Sequence, residues 1–161
     1  MAALRYVVVD VFTDRALEGN QLAVFTDARE LDDGTMQALA REMAFSETVF
    51  VQPAEQGGTV RIRIFTPRSE LPFAGHPTLG AAWVLASPLQ LGVIELETGR
   101  GVVPVELDRE ESGAIAFGRM EQPIPAWTRS ASRRHCYVRS ASSRPARRSR
   151  RTTTGRGSRT S

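Results

Sequence analysis

Lysine is absent from the chain: all 21 basic residues among 161 are arginine. Acidic residues are missing beyond Glu121, whereas 11 of the 21 arginines fall between Arg129 and Ser161. Ten arginines against 18 acids give the front a net charge of −8, and the tail carries +11, which together make the overall +3. A basic average therefore describes neither part. Clustered arginine would invite a nucleic-acid partner through phosphate neutralisation, but an acidic front argues against one, and nucleic acid is not an expected partner. Cysteine is reduced to Cys136, which excludes a disulfide framework and a cysteine-based metal site. Two histidines and one cysteine do not supply three or four convergent ligands, so no metal is expected. Apolar runs of about 18 residues or more are lacking, as is a charged start followed by an apolar stretch. Neither a membrane span nor a signal peptide is indicated, and a soluble, cytoplasmic protein is expected.

The last 33 positions contain no Leu, Ile, Phe, Met or Trp, and only one Val and one Tyr. Such a segment cannot bury enough apolar surface to offset its ordering entropy. We expect a lobe at residues 1–128 and a disordered Arg/Ser-rich tail at 129–161.

What the front does contain is strand pattern. Leu4–Phe12 is a β-branched run of strand length, and Gln21–Phe25, after a Gly19-Asn20 turn, reads as its neighbour. Thr48–Val51 and the alternating Val60–Phe65 flank Gln56-Gly57-Gly58 as a hairpin. Val93–Glu97, Val102–Leu107 and Ala114–Phe117 continue the sheet. Leu31, Met36, Leu39, Ala40 and Met43 recur at helical spacing, with Asp32-Asp33 at the expected N-terminus. Pro77–Ala86 carries no charge on any face, the signature of a helix surrounded by protein. Pro77 is expected at its first position, and Gly80, Ala81 and Ala82 allow strands to approach closely. The expected fold class is α+β: a curved, mostly antiparallel sheet wrapped around a central buried helix, with a second helix outside.

Three places hold polar groups that require a reason. In Phe45-Ser46-Glu47-Thr48-Val49-Phe50 an acid lies between a helix end and an apolar strand. Burial there would raise the pKa of Glu47 and suit it to exchange protons near neutral pH; a simple turn at Ser46 and Glu47 is the alternative. Gly75-His76 immediately precedes the expected buried helix, where free N–H groups and the dipole favour an anion; a hydrogen-bonded structural histidine is the alternative. In Glu18-Gly19-Asn20-Gln21, Asn20 is either a ligand-contacting amide or a turn residue tolerant of left-handed backbone. Gly99-Arg100-Gly101 lacks the third glycine and following helix of a dinucleotide fingerprint, and no cofactor is expected.

The order of Glu18-Gly-Asn-Gln-Leu-Ala-Val-Phe25, Arg41-Glu-Met-Ala-Phe-Ser-Glu-Thr-Val-Phe-Val51, Arg63-Ile-Phe-Thr-Pro67, Glu70-Leu-Pro-Phe-Ala-Gly-His-Pro-Thr-Leu-Gly80 and Met120-Glu-Gln-Pro-Ile-Pro-Ala-Trp127 resembles the PhzF family of phenazine-biosynthesis isomerases. The resemblance covers the N-terminal lobe, residues 1 to about 128. It implies one lobe of a diaminopimelate-epimerase-like fold, with the active site in a cleft between two lobes. It further implies that Glu47 is the acid/base moving a proton between carbons of a small carboxylate substrate, that Ser46, Gly75 and His76 line the substrate site, and that no metal or organic cofactor takes part. Family members usually dimerise, so homo-oligomers or association through the cleft face are expected. Related racemases of the fold use two thiols, which the lack of cysteine before position 136 excludes for this lobe. Where the resemblance stops, the composition is that of a GC-rich gene read out of frame. A frameshifted or truncated copy is the expectation, inactive alone if half a cleft leaves Glu47 solvated. The alternative is a non-catalytic fragment whose basic tail binds RNA or an acidic surface.

Overall fold

The computed structural model describes residues 3–122. The tail expected at 129–161 and the 123–127 end of the last motif lie outside them. The described residues form β1 (Tyr6–Val11), β2 (Asn20–Phe25), α1 (Asp33–Met43), β3 (Glu47–Gln52), β4 (Val60–Phe65), β5 (Glu70–Leu71), α2 (Gly75–Leu89), β6 (Val93–Thr98), β7 (Gly101–Arg109) and β8 (Ile115–Met120). The strands lie side by side in the order β1-β2-β3-β4-β6-β7-β8, with β5 paired to β4. Pairing is parallel at β2–β3 and β4–β6 and antiparallel elsewhere.

Alternation along the strands sorts side chains into two cores, because successive residues point to opposite faces of a sheet. Leu22, Val24, Val49, Val51, Ile62, Ile64, Ile94, Leu96 and Val105 face inward around α2. Ala23, Phe25, Phe50 and Phe65 face outward and are covered by Met36 and Ala40 of α1. Phe25, Phe50 and Phe65 form an aromatic row, Phe25 stacked on Phe50 at 4.8 Å and Phe65 edge-on to Phe50 at 5.4 Å. Arg63, on the outer face, joins three elements through ion pairs to Asp33 of α1 and Glu70 of β5, both at 2.6 Å.

The curled sheet closes on α2, which touches β1 to β4 and β6 to β8. Close approach is possible because the helix face turned to β1 and β2 is made of small residues. A Cβ at Gly80 would stand 2.6 Å from Leu22 Cδ2 and 2.8 Å from Val11 Cγ2. Arg109 fixes the far end: its guanidinium donates to the carbonyls of Ala86, Leu91 and Gly113, a cation where the helix dipole is negative. Two expectations are corrected here. The helix starts at Gly75, so Pro77 is its third residue, and Gly75-His76 form its first turn instead of preceding it. Nor is α2 enclosed all round, since Trp83 is 43% exposed.

Glu97 is a fully buried carboxylate that sequence pattern assigned to an ordinary strand position. It accepts the backbone N–H groups of Glu55, Gln56 and Gly58 at 2.6–2.9 Å and so pins the β3–β4 loop to β6. Burial opposes its ionisation, but the three N–H donors and nearby Arg61 outweigh that and hold its carboxyl below the ordinary value of 4.5. A lowered folded pKa means that its stabilisation is present above the unfolded value and lost as pH falls through the folded one. Glu97→Gln should therefore lower Tm at neutral pH and flatten the loss of Tm on acidification below about pH 5; an unchanged acid limb would contradict the assignment. Gly80→Val should cost about 2–3 kcal/mol through overpacking, read as a lower midpoint in urea, and an unshifted midpoint would mean that α2 moves outward freely.

Candidate active site

The pleat that builds the inner core also aims the acid. Glu47 opens β3 and shares a face with Val49 and Val51, so its side chain enters the half-barrel toward α2. The chain reaches it through Ala44, the C-cap of α1, held left-handed at φ 55°, a common way for a helix to end sharply. Register places Leu22 opposite Glu47 and Asn20 opposite Val11. The end of β1, the starts of β2 and β3 and the N-terminus of α2 thus meet at one end of the half-barrel.

His76, second residue of α2, brings its Nε2 to 3.5 Å from Glu47 Oε2. Its side chain is 10% exposed and that of Glu47 18%. Nε2 of His76 is buried without a hydrogen-bond partner among the described residues. Desolvation pushes the imidazole pKa below 6.5, and the Glu47 carboxylate only partly restores it, so His76 is neutral at pH 7. The N-cap of α2 is Ala74, which offers no side-chain cap, and no acid stands in the first turn. The N–H groups of Gly75 and His76 therefore lack intrahelical partners, and with the dipole they form a place suited to a carboxylate.

Ser46 donates its hydroxyl to Asn20 Oδ1 at 3.0 Å. All five residues singled out in the sequence therefore gather at this end: Glu47 and His76 side by side, Gly75 next in the helix, and Ser46 tied to Asn20 on the rim. Asn20 is the first residue of β2, so the turn expected at Gly19-Asn20 is completed by Gly19. Gln122 was not singled out. Its Nε2 stands 3.1 Å from where a Cβ on Gly75 would be, which puts an amide at the helix mouth in the space a side chain would fill. No periodicity marks a polar residue just past a strand. Phe12 was also missed, having been read as the end of the first strand. It has left β1, with φ 66°, and its ring lies 6.4 Å from that of His76. An open apolar trough of about 900 Å³ runs from Phe12 past Leu79, Gly80 and Trp83 to Phe117, and it includes neither Glu47 nor His76. Chemistry, not cavity volume, marks the site.

The family model for phenazine biosynthesis-like proteins, PhzC-PhzF, matches residues 9–156. A trans-2,3-dihydro-3-hydroxyanthranilate isomerase of Pseudomonas aeruginosa is 49% identical over 123 residues, which make up 76% of this chain and 44% of that protein. A PhzF-family phenazine biosynthesis protein of Bacillus anthracis has a similar structure, with a TM-score of 0.66 at 31% identity over 74% of this chain and 40% of that one. A probable proline racemase from Agrobacterium radiobacter superposes with a TM-score of 0.58 over 73% of this chain and 41% of that one; at 14% identity it shows the fold alone. The chain spans less than half the length of the curated relatives it matches first.

The pairing of His76 with Glu47 has a measurable sign. Histidine NMR should show His76 titrating below 6.5, with Glu47→Gln lowering its pKa further, because the carboxylate is the group that favours the imidazolium. A His76 pKa that rises or stays constant in Glu47→Gln would show that the two side chains do not interact.

Proposed function

This chain belongs to the PhzC-PhzF family of phenazine biosynthesis-like proteins, and we propose that the end of its half-barrel is the acid/base side of a cofactor-free isomerase site for a small unsaturated carboxylate. One observation supports this reading above others: the buried, unpartnered Nε2 of His76 stands 3.5 Å from the Glu47 carboxylate at the uncapped N-terminus of α2.

In this reading the substrate carboxylate rests on the N–H groups of Gly75 and His76, beside the Gln122 amide. Glu47, as carboxylate, takes a proton from one substrate carbon. The C–H bond breaks, an O–H bond forms on Glu47, and the electron pair moves through the adjoining double bond. Glu47 then returns the same proton to a second carbon, so the double bond has shifted and nothing is oxidised or reduced. Neutral His76 offers its free nitrogen to a substrate polar group or to Glu47 itself, and Ser46 with Asn20 borders the entrance. Proton transfer of this kind by a positioned side chain contributes about 10²–10⁴-fold to rate. An opposing lobe would complete water exclusion around Glu47.

The test is isomerisation of trans-2,3-dihydro-3-hydroxyanthranilate, the substrate in the relatives' name, in deuterated water. It would be run with this chain and with a two-lobed form completed by the unmatched remainder of the Pseudomonas aeruginosa relative. Glu47→Gln should lower turnover in the two-lobed form by about 10²-fold or more and leave Tm little changed, while His76→Ala should weaken KM as well as kcat. Near-normal turnover in Glu47→Gln would return Glu47 to an ordinary strand residue.

A further inference from the structure

Phe12 stands out among the residues outside the acid/base pair. It is an aromatic residue held left-handed at φ 66°, a conformation that is an outlier for a bulky side chain. Its backbone forms the turn that ends β1, while its side chain is not used by the core and is 73% exposed. The loop that holds it is fixed at its other end: the Asp10 carboxylate accepts the N–H of Leu17 at 2.7 Å, and Thr13 exchanges hydrogen bonds with Arg15. Gly19 packs against Thr13 Cγ2 and the carbonyl of Val11, where a Cβ would fall 2.6 and 2.7 Å away. A loop tied in this way presents the ring deliberately, at 6.4 Å and 57° from the His76 ring.

We propose that Phe12 is a specificity-determining residue, an aromatic wall on which the planar, unsaturated part of the substrate packs while its carboxylate sits at the N-terminus of α2. The inference rests on the function proposed above and names the residue that sets that site's preference for a planar ring. Two features on the page support it. The apolar trough begins at Phe12 and runs along α2, so a carbon skeleton anchored by its carboxylate at Gly75-His76 has a hydrophobic direction in which to extend. The Phe12 ring also packs directly against that of His76, 6.4 Å between centroids, so it borders the space beside the imidazole at the mouth of α2.

The experiment measures binding of 3-hydroxyanthranilate and of cyclohexanecarboxylate to the full chain by two-dimensional NMR, in the wild type, Phe12→Leu, Phe12→Gly and His76→Ala. The wild type should bind the planar acid at least about tenfold more tightly than the saturated one. Phe12→Leu and Phe12→Gly should reduce that ratio to about two or less with the saturated acid little affected, and His76→Ala should weaken both. Phe12→Gly should also keep or raise Tm, because it relieves the left-handed strain and uncovers no core; a clear fall in Tm would make Phe12 a structural residue and overturn the proposal. A planar-over-saturated preference that survives loss of Phe12, or that is absent from the wild type, overturns it too. Binding that depends on His76 but not on Phe12 sinks the aromatic wall alone. Binding that ignores His76 sinks the site reading on which the wall depends, and no binding at millimolar concentration sinks both.

Discussion

Contact between the small-residue face of α2 and the inner faces of β1 and β2 sets where every group at the site stands. With Gly80 against Leu22 and Val11, the helix axis lies closer to the sheet than an alanine or leucine face would permit. His76 is one turn upstream of Gly80, so an outward shift of the helix carries the imidazole away from Glu47. The two side chains are already at 3.5 Å, the outer limit of direct interaction, and a displacement of about 1 Å would separate them. Arg109 acts on the same constraint from the other end, because its bonds to Ala86, Leu91 and Gly113 hold the last turn of α2 against β7 and the turn before β8. A central helix fixed at both ends is what converts a strand pleat into a defined pair of polar groups.

The two helices handle their ends in opposite ways. In α1, Asp32 caps the N-terminus by accepting the Thr35 N–H at 2.7 Å, Asp33 adds charge to the first turn, and Arg41 sits in the last. Its dipole and free amides are satisfied within the element. In α2 the N-cap is Ala74 and the first turn has no acid; an acid from β3, Glu47, stands beside its second residue instead. Compensation is thus supplied from across the core, at a distance that leaves the amides of Gly75 and His76 free. The surface helix stabilises the fold, and the central helix keeps its N-terminus available.

Legibility of the sequence divides along the same physical line. Strict alternation announces β4 because a half-buried strand must alternate, runs of β-branched residues beside turn signals announce β1 and β6 to β8, and an uncharged Pro77–Ala86 announces α2 because a charged face could not be buried there. The start of α2 was displaced by two residues because Ala74 has no capping side chain to signal it. Proline is also tolerated at the third position as well as the first, since neither N–H has an intrahelical acceptor. Glu47 and His76 are legible as polar interruptions of apolar segments, but only the close packing of α2 inside the curled sheet brings them together. Glu97 was invisible, because its role depends on three backbone amides from a loop about 40 residues earlier. Gln122 and Phe12 depend likewise on where a chain end and a loop come to rest, which no local period encodes.

Backbone strain follows the function of each segment. Four non-glycine residues among those described are left-handed: Phe12, Leu17, Ala44 and Gln90. Ala44 and Gln90 are the C-caps of α1 and α2, where a left-handed residue satisfies orphan carbonyls and has an ordinary structural reason. Leu17 is compensated by the Asp10 carboxylate on its amide. Phe12 lies in the turn that ends β1, where a left-handed residue with a Cβ costs about 1–2 kcal/mol. Of the four, it is the one whose ring stands beside that of His76.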